Sequence, residues 1–287
     1  MESYDNRPIG VFDSGLGGLT AVTYMADLLP DENFVYFGDT ARTPYGSKSI
    51  ETIQRFSAQI SDFLAENGAK IIVIACNTVS ATCLELLRAR HPGIPVVGMI
   101  MPAAEYMVRE CAADSKVGVI GTKVTIESSQ YEKAIRKCGG KFDVKSKACP
   151  LFVPVIEEGI NDDAVIKSII RYYLDDFLRE NDIDTLVLGC THYPMLEKVI
   201  REMYSQLTII NPSMIVAQEV KKYLWRHNML ALENQNRSAF YASDLSGEFL
   251  RIIHKILDDE RMDIKLKNFE ENDKKEAIVV HENAIGM

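Results

Sequence analysis

Residues 71–78, Ile71-Ile72-Val73-Ile74-Ala75-Cys76-Asn77-Thr78, and residues 185–192, Thr185-Leu186-Val187-Leu188-Gly189-Cys190-Thr191-His192, follow one plan. Each is a short apolar run that ends in a small residue and a cysteine, followed by polar side chains. An uninterrupted run of this length, rich in β-branched residues, fits a strand buried on both faces. Similar runs occur at Ile9–Phe12, Phe34–Phe37, Val96–Met99 and Val117–Ile120. Between them, Ile50, Ile53, Phe56, Ile60, Phe63 and Leu64 recur at helical spacing, and Asn67-Gly68 supplies a stop. Continuous apolar strands alternating with helices predict an α/β fold with mostly parallel sheets flanked by helices.

A second pair of segments, Gly10-Val11-Phe12-Asp13-Ser14 and Gly118-Val119-Ile120-Gly121-Thr122, repeats at nearly the same offset as the cysteine pair. Two matched offsets predict two pseudo-symmetric α/β domains. Any two parallel strands look alike, but that likeness does not put a cysteine at the same point of both. The first domain is expected over 1–100 plus 211–257, the second over 101–210, with a charged C-terminal tail at 258–287. Asn211-Pro212 marks the turn back. The segment with Gln218, Val220, Tyr223, Leu224 and Trp225 reads as a helix returning to the first unit, and Gly247–Leu257 reads as another.

Ligands of parallel α/β sheets bind beyond the carboxyl ends of the strands, where loops lead into helix N-termini that favour anions. Both cysteines fall there. A free thiol has a pKa of about 8.5, so a drop of one or two units makes it a competent base at neutral pH. A small acid held between the two domains would be flanked by two thiols, one removing a proton and the other returning one. Ser14, Asn77, Thr78, Thr122 and Thr191 supply hydroxyl and amide groups at the same strand ends, and Thr125 is a further candidate.

Composition narrows the field. The chain has 287 residues, 47% hydrophobic and 25% charged, the balance of a globular protein. A formal net charge of −9 argues against a nucleic-acid surface. No apolar run approaches the length of a membrane span, so a cytoplasmic location is expected and no membrane partner. Six cysteines at 76, 83, 111, 138, 149 and 190 form no C-x-x-C pair. A zinc site built from Cys76, Cys149, Cys190 and His192 would lack the short spacings of structural zinc, and no metal is expected. Gly15-Leu16-Gly17-Gly18 lacks both the Lys-Ser/Thr ending of a phosphate loop and dinucleotide spacing, and reads as a close-packing turn opening the first helix.

Gly10 to Thr20, Pro44-Tyr45-Gly46-Ser47, Ala75-Cys76-Asn77-Thr78 and Gly189-Cys190-Thr191-His192-Tyr193-Pro194 resemble, in this order, the motifs of the glutamate racemases, with the likeness running over about residues 7 to 255. The resemblance implies a cofactor-independent interconversion of L- and D-glutamate in an interdomain cleft, with Cys76 and Cys190 as the two bases. The first cysteine of this family usually serves D-glutamate. It further implies Asp13 as the acid supporting Cys76, Glu157 as an acid near Cys190, and Tyr45 and Gly46 in a loop approaching the substrate. His192, two residues after Cys190, could assist that thiol. Other readings stay open: Asp13 as a helix cap, His192 as a satisfied loop histidine, Glu157 as a solvated acid beside an equivalent Glu158. The family also implies a homodimer and a role in supplying D-glutamate for peptidoglycan. Two alternatives remain, an aspartate or related racemase, and a gyrase-inhibiting binding protein acting through protein contacts. Activation by a cell-wall precursor is not expected, since few residues precede Ile9.

Overall fold

The computed structural model describes residues 4–235, 237–245, 250, 253 and 264–269. The chain begins with β1 (Ile9–Asp13), α1 (Leu19–Leu28), β2 (Phe34–Gly38), α2 (Ile50–Glu66), β3 (Ile71–Ile74), α3 (Asn77–Arg90), β4 (Val96–Gly98) and α4 (Ile100–Glu110). It continues with β5 (Lys116–Gly121), α5 (Lys123–Glu127), α6 (Gln130–Lys137), β6 (Asp143–Ala148), α7 (Phe152–Glu157), α8 (Asp163–Glu180), β7 (Thr185–Gly189), α9 (Glu197–Met203) and β8 (Thr208–Ile210). It returns through α10 (Pro212–Arg226), β9 (Ala239–Ala242) and β10 (Ile264–Leu266).

Two parallel sheets result. The first has the order β10-β9-β2-β1-β3-β4 and the second β6-β5-β7-β8. In the first, Val11 lies opposite Tyr36 on one side and Val73 on the other. In the second, Val119 lies opposite Ser146 and Val187. The central strands are buried at every position of β1, β2, β3 and β7 because helices cover both faces. Alternate residues feed different cores. Val11, Tyr36 and Val73 pack with Val22 of α1 and Val216, Val220 and Leu224 of α10, while Phe12, Phe37, Ile72 and Ile74 pack with Ile53 and Ile60 of α2 and Val79 and Leu87 of α3. Each of these fully buried aliphatic or aromatic side chains contributes about 1.5–3 kcal/mol. The second sheet is sandwiched likewise, Leu186 and Leu188 against α7 and α8, Val117, Val119 and Val187 against α4 and α6.

The helix starts follow local chemistry. Ser49 and Asp162 accept from amides of the first turns of α2 and α8. Asn211 does so for α10, whose first residue, Pro212, has no amide hydrogen to satisfy. Helix α10 packs on α1 and α4 and so touches both domains.

The strands that sequence patterning did not single out lie at sheet edges or in the returning segment. Edge strand β6, Asp-Val-Lys-Ser-Lys-Ala, alternates exposed and half-buried positions and carries three charges. Residues 264–266, expected in a charged tail, instead add strand β10 to the first sheet, with Ile264 buried and Lys265 beside it. Phe269 then packs near Phe37 and Phe63, with ring centroids 5.0 and 6.1 Å apart respectively. The helix expected at 247–257 lies outside the described residues except for Leu250 and Ile253. No described helix is long and apolar enough to cross a membrane.

Candidate active site

Cys76 follows β3 and Cys190 follows β7, and the carboxyl ends of the two sheets bring both sulfurs to the wall of one cavity. Cys76 is buried and occupies the N-cap position of α3. Its thiol donates to Ser14 Oγ at 3.4 Å. Burial pushes the Cys76 thiol well up, and the neighbouring Asp13 charge pushes it further; the Ser14 hydroxyl and the Val79 amide favour the thiolate without cancelling these effects. Asp13, at the end of β1, is fully buried and accepts from the amides of Gly15 at 3.3 Å and Gly18 at 2.9 Å. Burial raises its pKa, against the pull of His192, of the Gly18 and Ser14 amides and of the Cys76 thiol.

The surroundings of Cys190 have the opposite sign. A 3₁₀ turn at Tyr193–Leu196 and then the seven-residue α9 follow it, rather than the long helix that follows Cys76. The Cys190 sulfur lies 3.9 Å from His192 Nδ1, and His192 Nε2 lies 3.0 Å from Glu157 Oε1. Burial works against a charge on His192, yet its bonds to Cys190 and Glu157 outweigh burial and hold its pKa well above the ordinary histidine value. An imidazolium donates from both ring nitrogens, which suits one partner on each side.

Ser14, Tyr45, Gly46, Cys76, Asn77, Thr78, Thr122, Cys190, Thr191 and His192, all read from the sequence as site candidates, line the cavity. Thr43, Pro44 and Val153 line it as well. Their signal was slight: Thr43 and Pro44 flank the Tyr45-Gly46 pair, and Val153 is one apolar residue among several. Asp13, Glu157 and Thr125 stand one layer back. Asp13 accepts from Thr191 Oγ1 at 3.4 Å across the two domains, and Glu157 touches the cavity only through His192 and Thr43. Thr125 lies behind Thr122 and Thr78, with hydroxyl separations of 3.0 and 3.3 Å, and Thr78 and Thr122 are 2.9 Å apart. Tyr45 turns its hydroxyl away from the cavity to donate to Asp39.

The cavity holds only about 20 Å³, roughly the space of one water. Asn77 Oδ1 accepts from Tyr131 at 2.6 Å, but its buried Nδ2 has no hydrogen-bond partner. A buried donor of this kind costs about 1–3 kcal/mol unless an acceptor meets it. A ligand carboxylate would do so, and the hydroxyls of Thr78 and Thr122 add further donors beside it. Among the other thiols, Cys149 is buried and pushed up to about 12, with its carbonyl engaged by Tyr193 at 3.0 Å, which suits a core role. Among the described residues, no group of three or more His, Cys, Asp or Glu side chains is arranged to hold a metal ion.

Two α/β domains that each deliver one thiol to a shared small cavity define the architecture of the site. The sequence profile of the Asp/Glu/hydantoin racemases matches residues 21–220, and the chain belongs to that family of isomerases. It is 44% identical to the glutamate racemase of Geobacter metallireducens over 256 residues, covering 88% of this chain and 93% of the relative. The glutamate racemase of Aquifex aeolicus is 40% identical over 252 residues, covering 88% and 94%. The crystal structure of the Francisella tularensis glutamate racemase in complex with D-glutamate superposes with a TM-score of 0.86 at 36% identity, covering 92% of this chain and 98% of that one.

Proposed function

We propose that the protein interconverts L- and D-glutamate with Cys76 and Cys190 as its two bases. The observation that carries this reading is that both sulfurs, from separate sheets, line one small cavity that is also lined by Asn77, whose buried amide nitrogen is unpartnered. Burial and the Asp13 charge favour the thiol at Cys76, and His192, whose pKa is raised, lies beside Cys190, so in one direction Cys190 acts as the base and Cys76 as the acid. Cys190 takes the α-proton of the enantiomer that presents it, and Cys76 delivers its proton to the opposite face. The product leaves with the charges exchanged, Cys76 now the thiolate, which is the arrangement the other enantiomer requires. Thr78, Thr122 and Asn77 hold a carboxylate, and the exclusion of water strengthens each of these contacts.

Enantiomers have equal free energy in water, so the reaction has an equilibrium constant of one. Net production of D-glutamate therefore depends on a consuming reaction, and the cell-wall pathway of the relatives supplies it. A homodimer in the cytoplasm belongs to the same reading, and sedimentation of the purified chain tests the dimer.

The decisive experiment gives purified protein L-glutamate in heavy water without added cofactor. Optical rotation should decay to zero while deuterium enters Cα of the product. Racemisation without solvent deuterium in the product would eliminate proton transfer through exchangeable thiols.

A further inference from the structure

The Gly15-Leu16-Gly17-Gly18 turn is too far from a phosphate-loop pattern to bind a nucleotide, and its second glycine has no need of an unusual backbone. Gly17 is not among the residues with positive φ. Its requirement is external. A methyl group placed on Gly17 would lie 2.7 Å from His192 Nδ1, 2.7 Å from Thr191 Oγ1 and 2.8 Å from the His192 backbone nitrogen. All three atoms belong to the other domain's loop after β7, and Nδ1 is the atom that faces the Cys190 sulfur. Gly46 has the same relation to the loop after β5: a methyl there would lie 2.5 Å from Thr122 Cβ and 2.8 Å from its Cγ2. Gly46 also lacks a positive φ. Distances below about 3 Å to a backbone atom or a Cβ cannot be relieved by a side-chain rotation alone.

We propose that Gly17 and Gly46 are the two seats on which the second domain closes over the site, and that each positions a different part of the reaction. Gly17 lets the loop carrying His192 settle between Cys190 and Glu157, and so positions one proton-transfer step. Gly46 lets Thr122 reach Thr78, and so positions the hydroxyl group of the binding wall. This rests on the two-thiol reading above. Neither glycine touches the reacting atoms, and their role lies in what they leave free.

The two seats predict different kinetic signatures. A displacement on the order of 1 Å at a catalytic group costs up to about a hundredfold. Gly17→Ala should therefore lower kcat/KM at least about tenfold, and equally in both directions, because the equilibrium constant is fixed at one. The Cys190 step then dominates. The isotope effect with α-deuterated substrate should rise for the enantiomer whose proton Cys190 removes and fall toward unity for the other. A general weakening of the fold would not split the two. Gly46→Ala should raise KM about tenfold with a smaller fall in kcat and no such split. Gly93→Ala is the control, because no atom lies within 4 Å of the added methyl and its φ is ordinary. It should match the native enzyme.

Should Gly17→Ala fail to fold, Thr191→Ile enlarges the same contact from the opposite side and should reproduce the split. Gly17→Ala with activity within about twofold of native, or with both isotope effects unchanged or moved together, would overturn the Gly17 assignment. An unchanged KM in Gly46→Ala would overturn the other seat. Cys190→Ala is measured alongside. Normal racemisation by that variant refutes the two-thiol reading itself, whereas an inactive Cys190→Ala with an unsplit Gly17→Ala refutes only the seats.

Discussion

The two thiols that share the cavity stand in opposite electrostatic surroundings. Cys76 has a buried carboxylate, Asp13, beside it and the start of the 14-residue α3 behind it. Cys190 has an imidazole, His192, backed by Glu157, and only a short 3₁₀ turn ahead. The strands that deliver them are near copies, so the pseudo-symmetry of the two domains extends through the strands and breaks just beyond the cysteines, in both the backbone that follows and the charges. A reaction with one thiol and one thiolate needs that break. On the proposed mechanism, a symmetric pair would leave the single proton equally placed on either sulfur, whereas Asp13 beside Cys76 and the raised pKa of His192 beside Cys190 make the two ends unequal.

The strongest way to test this comparison is to remove each sulfur. Cys76→Ala and Cys190→Ala should each lose racemisation by at least about 10²–10⁴-fold, measured by circular dichroism of the substrate, because neither half can serve both faces alone. A variant that kept turnover would show that one half suffices. Next, Asp13→Asn and His192→Asn should each cost about 10²-fold in kcat/KM and move the two α-deuterium isotope effects in opposite senses. If both variants moved them in the same sense, the two helpers would not belong to separate thiols.

A subtler test uses pH. The His192 pKa is raised in the folded protein, so its contribution to stability is fully present below the unfolded histidine value of roughly 6.5 and is lost as pH rises through the folded value. Glu157→Gln removes part of what holds that proton. The melting-temperature difference between native protein and Glu157→Gln should thus be largest at and just below roughly pH 6.5 and shrink as the solution becomes alkaline. A difference that grew with pH would mean that His192 is neutral in the native state. The smallest effect belongs to the layer behind the cavity. Thr125→Val removes one hydroxyl from the threonine cluster, worth about 1 kcal/mol, and should raise KM about fivefold with kcat unchanged.

Much of this arrangement could be read in advance because buried parallel strands leave a strong mark. Ile71–Ile74 and residues 186–189 are apolar throughout, and a cysteine following each is visible without any structure. Edge strands leave a weak one. Strand β6 exposes alternate residues and carries Asp143, Lys145 and Lys147, so its composition is that of a loop, and β10 hides within a charged stretch. The site divides in the same way. Cavity-lining Asn77, Thr78, Thr122 and Thr191 sit next to the strand ends that announce them, whereas the layer to which a residue belongs is a tertiary fact. Thr125 lies one helical turn beyond Thr122, and nothing local places its hydroxyl behind rather than in the wall. The sequence pattern also suggested a helix start at each cysteine, which holds for Cys76 and gives way at Cys190 to a 3₁₀ turn. Gly17 was legible only as a tight turn, since the loop that requires it lies far along the chain.

A cavity of about 20 Å³ has no room for an amino acid until its walls part, and any reagent much larger than a water meets the same limit. Iodoacetamide, several times the size of a water, would reach the two sulfurs only in the moments when the walls separate. The rate at which such a reagent modifies the resting protein, at saturating concentration, is then a clock for spontaneous parting. Turnover cannot outrun that clock unless substrate itself hastens the opening, so comparing the two rates shows whether glutamate waits at the door or helps to push it.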